Sequence, residues 1–162
     1  MTILKWLIVG GMALALVAML AGQLGLLRGT APADLGVKDG KLKPPSKTPN
    51  SVSSQADLWP DHPQAAYARI APLPLVGDGP TTLARLKAIV AATPGAQWVG
   101  EKPDYLYATF STRLMKYTDD VEFWLDPAAQ VVQVRSASRL GQRDFGANRS
   151  RVEAIRAHLG AR

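Results

Sequence analysis

Two runs on either side of Pro127-Ala128-Ala129-Gln130 leave little freedom in how this chain folds. Residues 120–126 read DVEFWLD and residues 131–139 read VVQVRSASR. If the four intervening residues form the loop, Asp126 faces Val131, Trp124 faces Gln133 and Glu122 faces Arg135. On the other face Val121, Phe123 and Leu125 then meet Ser136, Val134 and Val132. Successive strand side chains point to opposite faces, so this register gives one apolar and one polar face. A slip of one residue would mix them. The sequence therefore predicts an antiparallel hairpin covered on one side, with Glu122 and Arg135 adjacent on the open side and Asp120 and Arg139 further along.

The neighbouring pattern extends the hairpin into a small domain. Leu83, Leu86, Ile89 and Val90 recur at helical spacing after Thr81 or Thr82 as cap, and Pro94-Gly95 ends that helix. Gln97–Glu101 and Asp104–Ser111 read as strands; Leu106, Ala108 and Phe110 share one face of the second, while Tyr105, Tyr107 and Thr109 share the other. A last helix starts near Gly146–Asn148 and runs to about Leu159, with Val152, Ile155 and Leu159 as its apolar stripe. The class implied is α+β: a small antiparallel sheet of about four strands flanked by two helices.

Ahead of this domain, Trp6 to Leu27 forms a run of 22 residues whose only strongly polar member is Gln23. About 20 apolar residues cross the hydrocarbon core as a helix. The run exceeds the apolar region of a cleaved signal, and Met19-Leu20-Ala21 is a poor cleavage site. Residues 1–5 are thus expected to be a tail, 6–27 a transmembrane signal-anchor in the lipid bilayer, 28–50 a linker and 51–162 the domain. The linker carries lysines and prolines (GVKDGKLKPPSKTPN, residues 36–50), the composition of an extended spacer. Nine of the twelve prolines lie between Pro32 and Pro80, so residues 51–76 should hold little regular structure beyond an edge strand around 66–70. Counting Arg28, Lys38, Lys41, Lys43 and Lys47 against Lys5 would keep the domain cytoplasmic, but a short tail with one lysine suits export, so the single-pass protein is expected in a bacterial inner membrane with its domain in the periplasm. No cysteine is present, so no disulfide or lipid-modified cysteine enters.

Charge directs attention to a partner. The net charge is +6, and six of the eleven arginines fall between Arg135 and Arg156. Arg135, Ser136, Ser138, Arg139, Asp144, Asn148 and Arg149 lie where a strand turns into a helix amino terminus, a place that suits anions. The competing explanations are structural. Glu122 and Arg135 can be a cross-strand ion pair, Asp144 can cap the helix, and the arginines can staple sheet to helix. Nucleic acid is not an expected partner, since no recognised motif or aromatic-basic interleaving occurs. Asp119, Asp120 and Glu122 could bind a cation, but adjacent arginines compete for them, so neither metal nor cofactor is expected. His62 and His158 lie outside any serine-nucleophile elbow.

Three motifs carry a resemblance to a known family: PNSVSSQA at Pro49–Ala56, DDVEF at Asp119–Phe123, and RSASRLGQRDFGANRSRVEAIR at Arg135–Arg156. These resemble the bacterial and plastid domain of unknown function numbered 1499, over about residue 35 to the end. Many members have cysteine where this chain has Ser51, so thiol chemistry is excluded here. The resemblance implies motif positions at Ser53, Ser54, Gln55, Asp120, Glu122, Arg135, Ser136, Ser138, Arg139, Asp144, Asn148, Arg149 and Glu153, with no activity attached. It also suggests that PNSVSSQ packs beside the RSASR strand. Ser54, Gln55, Asp120, Glu122, Arg135, Ser136, Ser138, Arg139, Asp144, Asn148 and Arg149 are the candidate ligand-binding residues. The expected role is binding of an anionic ligand, a lipid head group or an acidic protein, without catalysis. The alternative is an envelope enzyme with Asp120 or Glu122 as acid-base, although adjacent arginines oppose the raised pKa that an acid needs.

Overall fold

The computed structural model describes residues 2–161. Helix α1 spans Thr2–Gln23, about 33 Å at 1.5 Å per residue. It therefore starts and stops four residues earlier than the apolar run suggests. Gly25 sets the stop. Its φ of 83° allows the Leu26 amide to reach the Ala21 carbonyl and its own amide to reach Gly22, the paired bonds of a Schellman stop.

The domain follows in chain order as β1 (Ser51–Ser53), α2 (Ala65–Ala68), β2 (Leu73–Pro74), α3 (Gly79–Ala91), β3 (Ala96–Lys102), β4 (Tyr105–Ser111), β5 (Thr118–Asp126), β6 (Val131–Ser138) and α4 (Ala147–Gly160). The strands form one antiparallel sheet ordered β1-β6-β5-β4-β3, with β2 also on the free side of β6. The α+β class holds, with six strands in place of about four. The hairpin register is the expected one: Glu122 faces Arg135, Trp124 faces Gln133 and Asp126 faces Val131. Asp126 fixes the turn, accepting the amides of Ala128 and Ala129.

Val121, Phe123, Val132 and Val134 meet Leu86, Val90, Val152, Ile155 and Leu159 in the core between sheet and helices. Each fully buried side chain of this size stabilises the fold by about 1.5–3 kcal/mol. α3 is capped by Asp78, whose carboxylate accepts the Thr81 amide. The two threonines lie inside the helix, and the Thr82 hydroxyl turns back to the Asp78 carbonyl. Of the edge strand expected around 66–70, Arg69 alone makes a parallel bridge to Ser53, and residues 66–68 belong to the single helical turn of α2. The short strands β1 and β2 fall on either side of it, because β6 has a free edge to pair with while residues 65–68 do not lie along it.

The segment read as a spacer lies on the sheet. From Gly36 to Pro44 it crosses the polar face, with Leu42 buried against Tyr105 and Trp124. Gln55 clamps it, accepting the Leu42 amide at 2.7 Å and donating to the Gly40 carbonyl at 2.9 Å. The domain is not held away from α1 either. Gly22 packs with its Cα face against the Met115 backbone, and Gln23 donates to the Leu114 carbonyl at 2.8 Å.

Candidate functional site

β1 pairs with β6 so that Ser53 faces Arg135 and Val52 faces Ser136. PNSVSSQ thus lies beside RSASR. Within it Ser54 accepts the Val134 amide and donates to Gln133, while Gln55 serves the crossing segment.

On the polar face Glu122 is 0% exposed and Arg135 3%. The Glu122 carboxylate accepts the Gly36 amide at 2.7 Å and the Tyr105 hydroxyl at 2.8 Å. Its other oxygen has no hydrogen-bond partner among the described residues and lies 3.5 Å from the Arg135 guanidinium. Burial pushes this carboxyl up from its ordinary value, against the pull of the Gly36 amide and Arg135. Burial also pushes Arg135 down, although a guanidinium stays charged. Glu122 therefore does not sit on an open face: the segment from Gly36 to Pro44 closes it off. The missing signal is tertiary, since the Gly36 amide, the buried Leu42 and the Gln55 clamp hold that segment in place.

One layer along, Asp120 is buried and doubly bonded by Arg139, with N···O distances of 2.7 to 3.1 Å. Tyr107 donates to the same carboxylate at 2.5 Å. Burial and then Asp120 push the Tyr107 hydroxyl up to about 12. The hydrogen bonds to Asp120 hold Arg139 above its ordinary value. Tyr105 and Tyr107 are absent from the sequence-predicted set, although their alternation along β4 placed them on this face.

A second network joins the sheet to α4. Asn148 is fully buried and uses its whole amide. Oδ1 accepts from Ser136 and Arg151, and Nδ2 donates to Ser138, Asp144 and the Asn50 carbonyl. Asp144 receives the amides of Gly146 and Asn148 and the Tyr67 hydroxyl. Burial raises its pKa, but these donors outweigh burial and hold the carboxyl below the usual range. The first turn of α4 is thus capped from within. Arg149 donates to the carbonyls of Tyr67 and Arg69. Arg151, also absent from the predicted set, reaches Asp119 at 2.5 Å and lies 4.8 Å over the Phe110 ring. Only its distance from Asp119 in sequence hid it.

Eight of the eleven predicted residues are therefore brought together as two internal networks, Asp120, Glu122, Arg135 and Arg139 in one and Ser136, Ser138, Asp144 and Asn148 in the other, while Ser54, Gln55 and Arg149 bond to other parts of the fold. Free cations lie elsewhere. A cleft of about 580 Å³ opens beside β3 and β4, lined by Arg28, Arg113, Lys116 and Arg139 with the hydroxyl residues Thr109, Ser111 and Thr118. No carboxylate lines it. Among the described residues, the side chains of Arg28, Arg113 and Lys116 form no ion pair, whereas Arg139 is shared with Asp120. Val99, the extra residue of a bulge in β3, lines the same cleft. A second cleft of about 530 Å³, between α3 and α4, is mainly apolar. Its one arginine, Arg151, is already paired with Asp119.

The family model described as "Protein of unknown function (DUF1499)" matches residues 41–159. No curated protein and no solved structure matches the chain.

Proposed function

The chain belongs to the DUF1499 family of proteins of unknown function, and from its own geometry we propose a membrane-anchored domain that binds an anionic ligand without catalysis. The observation that carries this reading is the cleft of Arg28, Arg113, Lys116 and Arg139 with no carboxylate in its lining. Like charges gathered in a cleft raise the local concentration of a counter-ion, and guanidinium forks suit phosphate or carboxylate oxygens. The proposed anchor is α1, long and apolar enough to cross a membrane. We place the protein in a bacterial inner membrane as a single-pass protein with its domain in the periplasm. The acid-base alternative loses ground because Glu122 is 0% and Asp120 1% exposed, so a substrate would have to displace the segment over them.

The test is calorimetric titration of inorganic pyrophosphate into the full chain held in nanodiscs of neutral lipid. Arg113→Gln with Lys116→Gln should weaken binding about tenfold or more, the scale of one to two lost charge-assisted contacts. Equal affinity in the wild type and the double variant, or no binding by the wild type, overturns the reading.

A further inference from the structure

The cleft lies at one end of the sheet, and that end also carries the exit of α1. Ser111 closes β4 opposite Thr118 of β5, and the Arg139 amide donates to the Thr118 carbonyl just past the end of β6. The loops 112–117 and 139–146 therefore emerge together. α1 ends against the first of them through Gly22 on Met115 and Gln23 on Leu114. Residues beyond α1 reach the second, where Gly29 touches the side chains of Arg139 and Leu140.

The exposed apolar residues of these two loops are large. Leu114 is 60% exposed, Tyr117 and Leu140 are also exposed, and Phe145 is 95% exposed. Phe145 has a φ of 52° and Lys116 a φ of 56°. A bulky residue in the left-handed region is an outlier that costs free energy. Contacts with the rest of the domain do not explain Phe145, since its ring projects into solvent. Large apolar side chains interleaved with Arg28, Arg113 and Lys116, which form no ion pair among the described residues, at the end where a 22-residue apolar helix arrives, match the chemistry of a bilayer interface.

We infer that this end of the domain docks on the surface of the bilayer that holds α1, with Leu114, Tyr117 and Phe145 at head-group depth and phospholipid phosphates against Arg113 and Lys116 at the mouth of the cleft. This rests on the cleft being an anion site and names the membrane's own anionic lipids as its occupant. The anchor then does more than tether the domain: it fixes which face looks at the membrane. The polar network around Glu122 stays enclosed, and the turn at 127–130 points to the opposite end of the sheet.

The test uses the natural absence of cysteine. Leu114→Cys, Phe145→Cys and Ala129→Cys variants of the full chain carry a spin label. They are reconstituted in vesicles of phosphatidylcholine alone or with about 30% phosphatidylglycerol, where surface attraction acts on each nearby cation. Collisions with oxygen, which favours the lipid phase, are compared with those of an aqueous nickel chelate. Labels at 114 and 145 should favour oxygen several-fold over the label at 129 in the anionic vesicles. The preference should fall in neutral vesicles and in the Arg113→Gln with Lys116→Gln background. A Tyr117→Cys label supplies the reading if either labelled variant misfolds. Labels at 114 and 145 as aqueous as that at 129, or immersion indifferent to lipid charge, overturn the inference. Pyrophosphate binding that persists while the labels stay aqueous would leave the cleft as a site for a soluble anion and remove only the lipid assignment.

Discussion

Arginine does opposite things at two places in this molecule. Inside, Arg135, Arg149 and Arg151 are bonded by carboxylates, carbonyls and one amide side chain, and Arg139, though it lines the cleft, is held by Asp120. At the cleft, Arg28 and Arg113 face open space with no ion pair among the described residues. The inner arginines all fall in the conspicuous cluster from Arg135 to Arg156, whereas the outer ones are scattered at 28 and 113. Density of charge along the sequence therefore marked the scaffold, and the unpaired charge had to be found in three dimensions. A cation whose donors are consumed by the fold is a poor receptor for a ligand, because binding would first have to break the pair.

The harshest way to break this contrast is to remove one partner of the innermost pair. Arg135→Ala leaves the fully buried Glu122 carboxylate without a cation and should cost about 3–5 kcal/mol. Urea unfolding of the full chain checks it. Replacing both partners, Glu122→Gln with Arg135→Met, should cost much less, since no uncompensated charge remains. If Arg135→Ala costs less than about 1 kcal/mol, in the range of an exposed pair, the inner network does not hold the sheet and the comparison collapses. Asn148→Ala should come next. It leaves Ser136, Ser138 and Arg151 short of partners in a buried place and weakens the cap of α4, for a loss of about 2–3 kcal/mol by the same measurement.

How far the sequence reaches can be judged from these residues. The hairpin register was legible because period-two alternation allows only one sorting of Val121, Phe123 and Leu125 from Glu122 and Trp124. The packing of PNSVSSQ beside RSASR is legible through the family motifs, not through periodicity, since three residues carry no period, and its register of Ser53 on Arg135 comes from the structure. The sequence reads 36–50 as a spacer because proline and lysine report local stiffness and solubility, while the position of its first part depends on Gln55 and on the Gly36 amide donated to Glu122, 86 residues away. The observed cap of α3 lies three or four residues before the expected Thr81 or Thr82, because Asp78, Thr81 and Thr82 are all competent caps. The cleft was not legible at all: Arg28 and Lys116 meet only once α1 has delivered the chain to the end of the sheet.

Acid offers a finer probe, since the two networks answer pH with opposite signs. Asp144 is held below its ordinary 3.8, so the folded state binds its proton less readily than the unfolded chain. Its stabilisation is present above about pH 4 and lost as pH falls through the lowered value. Glu122 is pushed above its ordinary 4.5, so its folded state holds the proton more tightly. That contribution is present below the unfolded value and lost as pH rises through the raised one. Stability measured against pH should therefore lose part of its acid limb in Asp144→Asn, by less than about 1 kcal/mol once solvent screening is allowed for. Glu122→Gln should instead remove a decline above pH 4.5. Reversed signs would mean that the carboxylates were assigned to the wrong environments.

The smallest effect on stability belongs to the outer cations, and there the comparison becomes sharpest. Arg113→Gln with Lys116→Gln removes two charges that make no ion pair among the described residues, so unfolding should move by no more than about 0.5 kcal/mol. Removing two like charges from the cleft mouth can even stabilise the domain slightly, because their mutual repulsion is relieved. Pyrophosphate affinity should fall about tenfold or more in the same protein, and the loss should shrink in high salt, where screening has already weakened the wild type. Stability unchanged and binding lost would separate receptor from scaffold by a single pair of substitutions. A large loss of stability would instead make these cations part of the seat of α1 on loop 112–117, and the division between inner and outer arginines would have to be drawn elsewhere.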